Sequence, residues 1–211
     1  ADNRPGLVAG PWFPYLQLYE DDRVSDFCMD RLSRADDLKP KGWSHHAGGE
    51  IIEGWPRVKG KGRACFKHSQ PVHAESVWKM KVEGGEREKG MSVGFARQQF
   101  DPKKHEENCS KSTAWVCLGN GTTVIHSDIS QDGERHSHPG HLKDHVPKTK
   151  PYDVALRCDK DGNVPQIQFN DDGVWRDFAP EGKTKARHRA DIPADIASNT
   201  LALLSSGDAI S

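Results

Sequence analysis

The sequence has few hydrophobic residues and no excess of charge of one sign. Hydrophobic residues make up 34% of its 211 positions, and 30 basic residues against 31 acidic ones leave a formal net charge of -1. No run of about 18 apolar residues occurs, so no segment is predicted to span a membrane. The charge balance also argues against general electrostatic binding to nucleic acid or to an anionic membrane.

Signatures of common enzymes are missing as well. The strand–helix–strand alternation of Rossmann and barrel enzymes is not visible, and no G-x-S-x-G, H-E-x-x-H or P-loop motif occurs. Glu83 and Glu86 flank Gly84-Gly85, which predicts a turn and not the paired carboxylates of a glycosidase. Residues 159–163 have glycine in fourth place, where an EF-hand needs it in sixth place, so they predict a β-turn. We therefore expect that the protein is not an enzyme and binds no cofactor.

The cysteines are few and show no pairing pattern. There are five of them, an odd number, and no C-x-x-C motif occurs. We interpret all five as reduced thiols of an intracellular protein, either cytoplasmic or nuclear. Two N-glycosylation sequons, Asn108-Cys109-Ser110 and Asn120-Gly121-Thr122, keep a secreted origin open.

Apolar residues that alternate with polar ones are what the sequence does contain. Residues 76–83 and 152–159 place apolar side chains at every second position, which is typical of strands with one buried face. Such segments, separated by turns rich in Gly, Asn and Asp, predict an all-β fold: a two-sheet antiparallel β-sandwich with little helix. We assign four aromatic residues to its core: Trp78, Phe95, Trp115 and Phe169.

The N-terminal part of the chain is less regular. Residues 25–38 predict a short helix, because Phe27, Cys28 and Leu32 fall on one side of it. We expect residues 1–59 to form an N-terminal extension that packs on the sandwich, and residues 60–211 to form the sandwich itself. Residues 201–204 are predicted to be its last strand.

The order of the later segments carries a family resemblance. Trp78 is followed by Val93-Gly94-Phe95-Ala96, then by Ala114-Trp115, and then by two strands whose turns contain Gly162 and Gly173. This order resembles the SPRY (B30.2-like) family of concanavalin-like β-sandwiches over roughly residues 60–211. The related neuralized-type β-sandwich repeat is the second choice. The long His-rich segment after Trp115 departs from the SPRY pattern.

The resemblance implies a protein-interaction module that binds a peptide segment or a partner surface through loops at one end of the sandwich. Substrate recognition for a ubiquitin ligase is one such role. In the family, the loop after the V-G-x-A strand and the end of the last strand help to line the pocket. By position this implies seven partner-binding residues: Arg97, Gln98, Phe100, His105, Ser205, Ser206 and Gly207. We add Trp55 and Arg57, because Trp and Arg are favoured anchors at interfaces.

Two alternatives remain at this point. Exposed tryptophans on the same kind of sandwich would instead favour carbohydrate binding, as in a lectin. A cluster of histidines and aspartates also has spacings that suit Zn²⁺. Its members are His126, His136, His138, His141 and His145, with Asp128, Asp132 and Asp144. We expect no bound metal there, because no rigid element fixes the ligands in advance. The sequence names neither the partner nor the oligomeric state.

Overall fold

Fourteen β-strands form the part of the protein that the computed structural model describes, residues 7–31, 42–83, 90–104, 111–170 and 173–178. A 3₁₀ turn at Pro102–Lys104 is the only helical segment among these residues. The strands are β1 (Phe13–Tyr19), β2 (Val24–Arg31), β3 (Trp43–His45), β4 (Gly49–Ile52), β5 (Trp55–Val58), β6 (Arg63–His68), β7 (Ser76–Val82), β8 (Ser92–Ala96), β9 (Thr113–Cys117), β10 (Thr123–Ile125), β11 (His136–His138), β12 (Tyr152–Cys158), β13 (Pro165–Phe169) and β14 (Trp175–Asp177).

The strands form two large antiparallel sheets and one separate hairpin. The seven-stranded sheet has the order β11-β10-β9-β8-β1-β6-β3, and the five-stranded sheet has the order β14-β13-β12-β7-β2. Strands β4 and β5 pair with each other as a two-stranded sheet. The predicted all-β, antiparallel β-sandwich with little helix is confirmed.

The core lies between the two large sheets. Trp78, Phe95 and Phe169 are completely buried in one apolar cluster, as predicted. Trp115 is different, because it is half-buried and packs against a smaller cluster that contains Tyr15 and Phe100. Its neighbours in β9 face the main core, so the alternation of the strand directs Trp115 to the other face of the sheet. The assignment of Trp115 to the core is therefore wrong.

The N-terminal residues belong to the sandwich. Strand β1 lies between β6 and β8 inside the seven-stranded sheet, and β2 pairs with β7 in the five-stranded sheet. The described residues of the predicted extension, 7–31 and 42–59, therefore supply strands to both large sheets, and their β4–β5 hairpin packs on the sandwich as a separate sheet. The predicted strand at residues 201–204 lies outside the described residues.

A β-bulge interrupts the alternation of β2, within the residues predicted to be helical. The register of β2 against β7 shifts between Ser25 and Cys28, and Asp26 has a φ of 52°. The bulge leaves Val24 and Phe27 both buried although they are three residues apart, which is a spacing typical of helices. The helix prediction is wrong for residues 25–31, and residues 32–38 lie outside the described part of the chain.

The cysteines are not all reduced. Cys65 is disulfide-bonded, whereas Cys28, Cys117 and Cys158 carry thiols. The prediction of five thiols is wrong at Cys65, and with it the argument for an intracellular protein loses its basis. Cys109 lies outside the described residues. Within the described chain, no helix has the length and apolar character needed to cross a membrane.

Candidate functional site: a cleft beside the β4–β5 hairpin

The β4–β5 hairpin is built around a two-residue turn. Glu53 and Gly54 both have positive φ, 52° and 86°, which is the geometry of a tight hairpin turn that matches the twist of its strands. The turn places Ile52 opposite Trp55 and Glu50 opposite Arg57. Trp55 packs against the main core, so the hairpin is fixed to the sandwich by its own aromatic residue.

An open cleft of about 340 Å³ lies between this hairpin and the turn that joins β1 to β2. We call it the hairpin cleft. It contains three carboxylates and two guanidinium groups beside two aliphatic side chains. The lining residues are Glu20, Asp22, Arg23, Glu50, Ile52, Arg57 and Val58. Of the predicted binding residues, the cleft contains Arg57.

Arg57 has unused hydrogen-bonding capacity. Its side chain is half-buried, and its Nη1 atom is buried without a hydrogen-bond partner in the described part of the chain. Glu50 is its register partner, yet the described structure forms no ion pair between them. A buried donor left unpaired costs on the order of 1–3 kcal/mol, so a movement of the Arg57 side chain that lets Nη1 pair with an incoming acceptor would be favourable.

Asp22 has a different role at the opposite wall of the cleft. It is 4% exposed, and its Oδ2 accepts a hydrogen bond of 2.9 Å from the backbone N–H of Tyr19. The backbone N–H of Asp22 in turn donates to the carbonyl of Tyr19. Burial raises the pKa of this carboxyl above its ordinary value. Asp22 therefore holds the β1–β2 turn in shape.

The hairpin exposes two adjacent isoleucines, of which Ile52 lines the cleft. Ile51 is 38% exposed and Ile52 is 47% exposed. Among the described residues, the other exposed large hydrophobic side chain is Val8. Adjacent apolar surface and an unpaired guanidinium donor are the two features that interface hot spots combine.

Arg97 and Phe100, which the resemblance implies as binding residues, make contacts within the protein. The guanidinium of Arg97 lies 5.1 Å from the ring of Trp12, and its Nη1 donates to the carbonyl of Ala9. Burial lowers the pKa of Arg97. Phe100 is 2% exposed, and its ring meets that of Tyr15 edge-on at 5.6 Å. Both side chains therefore hold the loop that follows β8 against the sandwich.

Lys67 fixes the same loop from beneath. Its Nζ donates to the carbonyls of Gln98 at 2.7 Å and Phe100 at 2.8 Å. Burial lowers the pKa of Lys67. The side chain of Gln98 is exposed. His105, Ser205, Ser206 and Gly207 lie outside the described residues.

The structure separates the two predicted arginines. At one end of β1, Phe13 pairs with Ala96, which precedes Arg97. At the other end, Tyr19 precedes the turn that lines the hairpin cleft. Seven strand residues at about 3.3 Å each put roughly 20 Å between the two ends. Arg57 and Arg97 therefore do not belong to one site.

Sequence reasoning missed most residues of the cleft. Its carboxylates lie in turns and on a short hairpin, where charged residues are common and carry no distinctive signal. The Glu53-Gly54 pair between β4 and β5 was a detectable hairpin signal. The exposure of Ile51 and Ile52, however, depends on how the hairpin packs.

The His-rich segment does not form one convergent cluster. His126 is buried and its pKa is lowered to about 4, first by burial and then by Arg135. His145 shares a hydrogen bond of 2.8 Å with Arg176. The ring centroids of His136 and His138 lie 6.4 Å apart, and those of His138 and His141 lie 6.2 Å apart.

One smaller group within this segment has the donor types of a metal site. Asp132, Glu134 and His136 place ligand atoms within 4.8 Å of one another and could hold an ion. Asp132 already shares hydrogen bonds with His136, Ser130 and the backbone N–H of Glu134, and these hold its pKa below the ordinary value. Asp128 accepts hydrogen bonds from Ser112, and thus lies apart from this group.

The tryptophans do not form an exposed platform. All six lie in the described residues, and each is buried or half-buried. Trp175 is covered by the guanidinium of Arg157 at 4.5 Å. No exposed indole is therefore available to stack on a sugar ring.

The fold is that of an antiparallel β-sandwich. Within the described residues it has one separate hairpin, and beside this hairpin lies a charged cleft with exposed apolar surface. No protein-family model matches the chain, and comparison with curated proteins and with solved structures gives no significant match.

Proposed function

We propose that the protein is a SPRY-like interaction module that binds a peptide segment of a partner protein at the hairpin cleft. The observation that carries this proposal is the buried, unpartnered Nη1 of Arg57 in the cleft that the exposed side chain of Ile52 also lines. The guanidinium group supplies a directed donor, and Ile52 supplies apolar area. The proposal concerns binding and includes no reaction.

The charges of the cleft favour one kind of peptide. Three carboxylates, from Glu20, Asp22 and Glu50, outnumber the two guanidinium groups of Arg23 and Arg57. A strongly acidic peptide would meet like charge there, which is unfavourable. A backbone carbonyl can accept from Arg57 without that penalty. The favoured partner is therefore a peptide that offers a carbonyl to Arg57 and an apolar side chain to Ile52.

Selection from a displayed library of random peptides tests the proposal. The selected peptides are synthesised, and their affinity is measured by calorimetry for the parent, Arg57→Gln and Ile52→Ser. We expect Arg57→Gln to weaken binding by about tenfold or more, because the peptide acceptor loses its donor. Ile52→Ser is expected to weaken binding through lost apolar contact.

Arg135→Gln is the matched control, since it removes one exposed arginine that does not line the cleft. Its affinity for the same peptides should equal that of the parent. Peptides that bind equally well to the parent, Arg57→Gln and Ile52→Ser would place the site elsewhere. A selection dominated by acidic peptides would overturn the preference for a neutral carbonyl.

The carbohydrate alternative is not included in this proposal. It depends on exposed aromatic residues, and the half-buried or buried state of all six tryptophans gives it no support.

A further inference from the structure

The turn between β9 and β10 presents an asparagine side chain to solvent. Asn120 is exposed, and its Oδ1 accepts a hydrogen bond of 2.9 Å from the backbone N–H of Thr122. This contact is an Asx-turn, in which the side chain is fixed by the backbone two residues on. The Nδ2 of Asn120 donates no hydrogen bond within the described part of the chain, so its amide nitrogen is available.

Gly121, between Asn120 and Thr122, could not be replaced easily. Gly121 is buried with a φ of 68°, and a Cβ at this position would lie 2.2 Å from the backbone nitrogen of Lys143. Its carbonyl accepts from the N–H of Leu142 at 2.8 Å. The turn is thus held by packing below, while Asn120 stands on its outer side. A large group on Nδ2 would extend into solvent without displacing a packed residue.

The disulfide at Cys65 is a second observation, independent of the turn that carries Asn120. Cys65 is disulfide-bonded, and disulfides form and persist in secretory and extracellular compartments. These are the compartments in which Asn-x-Ser/Thr sequons receive N-linked glycans. Asn120-Gly121-Thr122 is such a sequon, and its asparagine is exposed.

We propose that Asn120 is an N-glycan acceptor of this protein. The donor is an oligosaccharide carried on a polyisoprenyl pyrophosphate. The Nδ2 atom forms a bond to the anomeric carbon of the first sugar, and the bond from that carbon to the pyrophosphate oxygen breaks. The lipid pyrophosphate leaves with the electron pair, and the amide nitrogen gives up one proton. This inference is independent of peptide binding, since no residue of the sequon lines the hairpin cleft.

Expression of the full 211-residue chain behind a cleavable secretion leader in eukaryotic cells tests the assignment. Both the cell extract and the medium are digested with a glycan-releasing amidase in water labelled with heavy oxygen, and the peptides are analysed by mass spectrometry. We expect labelled aspartate at position 120 in most of the parent chains. Asn120→Gln and Thr122→Ala should lose it, together with the corresponding shift in gel mobility.

Thr122→Ser is the matched control, because it keeps the sequon and should keep the glycan. The second sequon is followed separately through Asn108→Gln, which should leave the label at position 120 unchanged. Parent protein with the Cys65 disulfide formed but Asn120 unmodified would overturn the proposal. A glycan found on Asn108 alone, or one retained in Thr122→Ala at position 120, would overturn it equally.

Discussion

Gly94 lies directly opposite Trp115 in the neighbouring strands β8 and β9. A Cβ at Gly94 would lie 2.1 Å from the carbonyl oxygen of Ala114 and 2.9 Å from the Cβ of Trp115. The two segments that carry much of the family resemblance are therefore two sides of one close contact between strands. Glycine is required there because no side chain fits.

Gly94→Ala should destabilise the protein by about 1–3 kcal/mol, the usual range for overpacking, because β8 and β9 must move apart to admit a methyl group. Urea denaturation followed by tryptophan fluorescence measures the loss. Ser137→Ala, at an exposed position of β11, is the control and should change stability by no more than about 0.5 kcal/mol. Equal stability of Gly94→Ala and the parent would show that the strands are not this close.

Trp78 and Trp115 should differ in their contribution to stability. Trp78 is completely buried and stacks on Phe27 at 5.0 Å, so Trp78→Ala should cost about 3–5 kcal/mol. Trp115 is half-buried on the other face of its sheet, so Trp115→Ala should cost clearly less. The free energy of unfolding of both variants checks this ranking. A larger loss for Trp115→Ala would reverse the assignment of the two faces.

Acid should destabilise the protein through two buried histidines. Burial lowers the pKa of His68 to about 4, and that of His126 likewise falls to about 4. In the unfolded chain both take up a proton near pH 6.5, so the unfolded state binds more protons between these values. The stability that the two neutral, buried imidazoles contribute is therefore fully present above pH 6.5 and is lost as the pH falls through 4.

The loss should reach up to about 3 kcal/mol for each histidine. Denaturation curves recorded across this pH range measure it. His68→Gln, which cannot take up a proton, should show a shallower dependence on pH than the parent, whatever its stability at neutral pH. Identical slopes for the two proteins would mean that His68 is protonated as easily in the folded state as in the unfolded state.

Reduction should weaken the protein through Cys65. Loss of a native disulfide costs about 2–4 kcal/mol, so a thiol reductant should lower the free energy of unfolding of the parent by this amount. Cys65→Ser should already have the lower stability and should not respond to the reductant. Cys28→Ser, which changes a cysteine outside any disulfide, should respond like the parent. A parent that is insensitive to reductant would contradict the disulfide.

The sequence allowed the strands to be predicted wherever apolar and polar residues alternate without interruption. Strands β7 and β12 follow this pattern, and both were placed correctly. The bulge after Ser25 breaks the alternation, so β2 resembled a helix. The face of the sheet on which Trp115 lies was predicted wrongly. Alternation shows that a strand has two faces, but it does not show which face packs against the second sheet.

The candidate site was harder to predict than the fold. Family position implied Arg97, and Arg57 was added to the same group as a favoured interface anchor, whereas the structure puts the two arginines near opposite ends of β1. The engagement of Arg97 with Trp12 and Ala9 depends on residues nearly ninety positions away, and no local pattern reports it.

Among the described residues, the outermost strands of the two large sheets bear on how readily two molecules could associate edge to edge. Three of them, β3, β11 and β14, have only three residues each, and the fourth, β2, is interrupted by its bulge. Short or bulged outer strands offer a poor template for another chain to continue the sheet. Molecules at high concentration should therefore resist edge-to-edge aggregation, and a peptide has little to gain by adding itself as an extra strand to either large sheet.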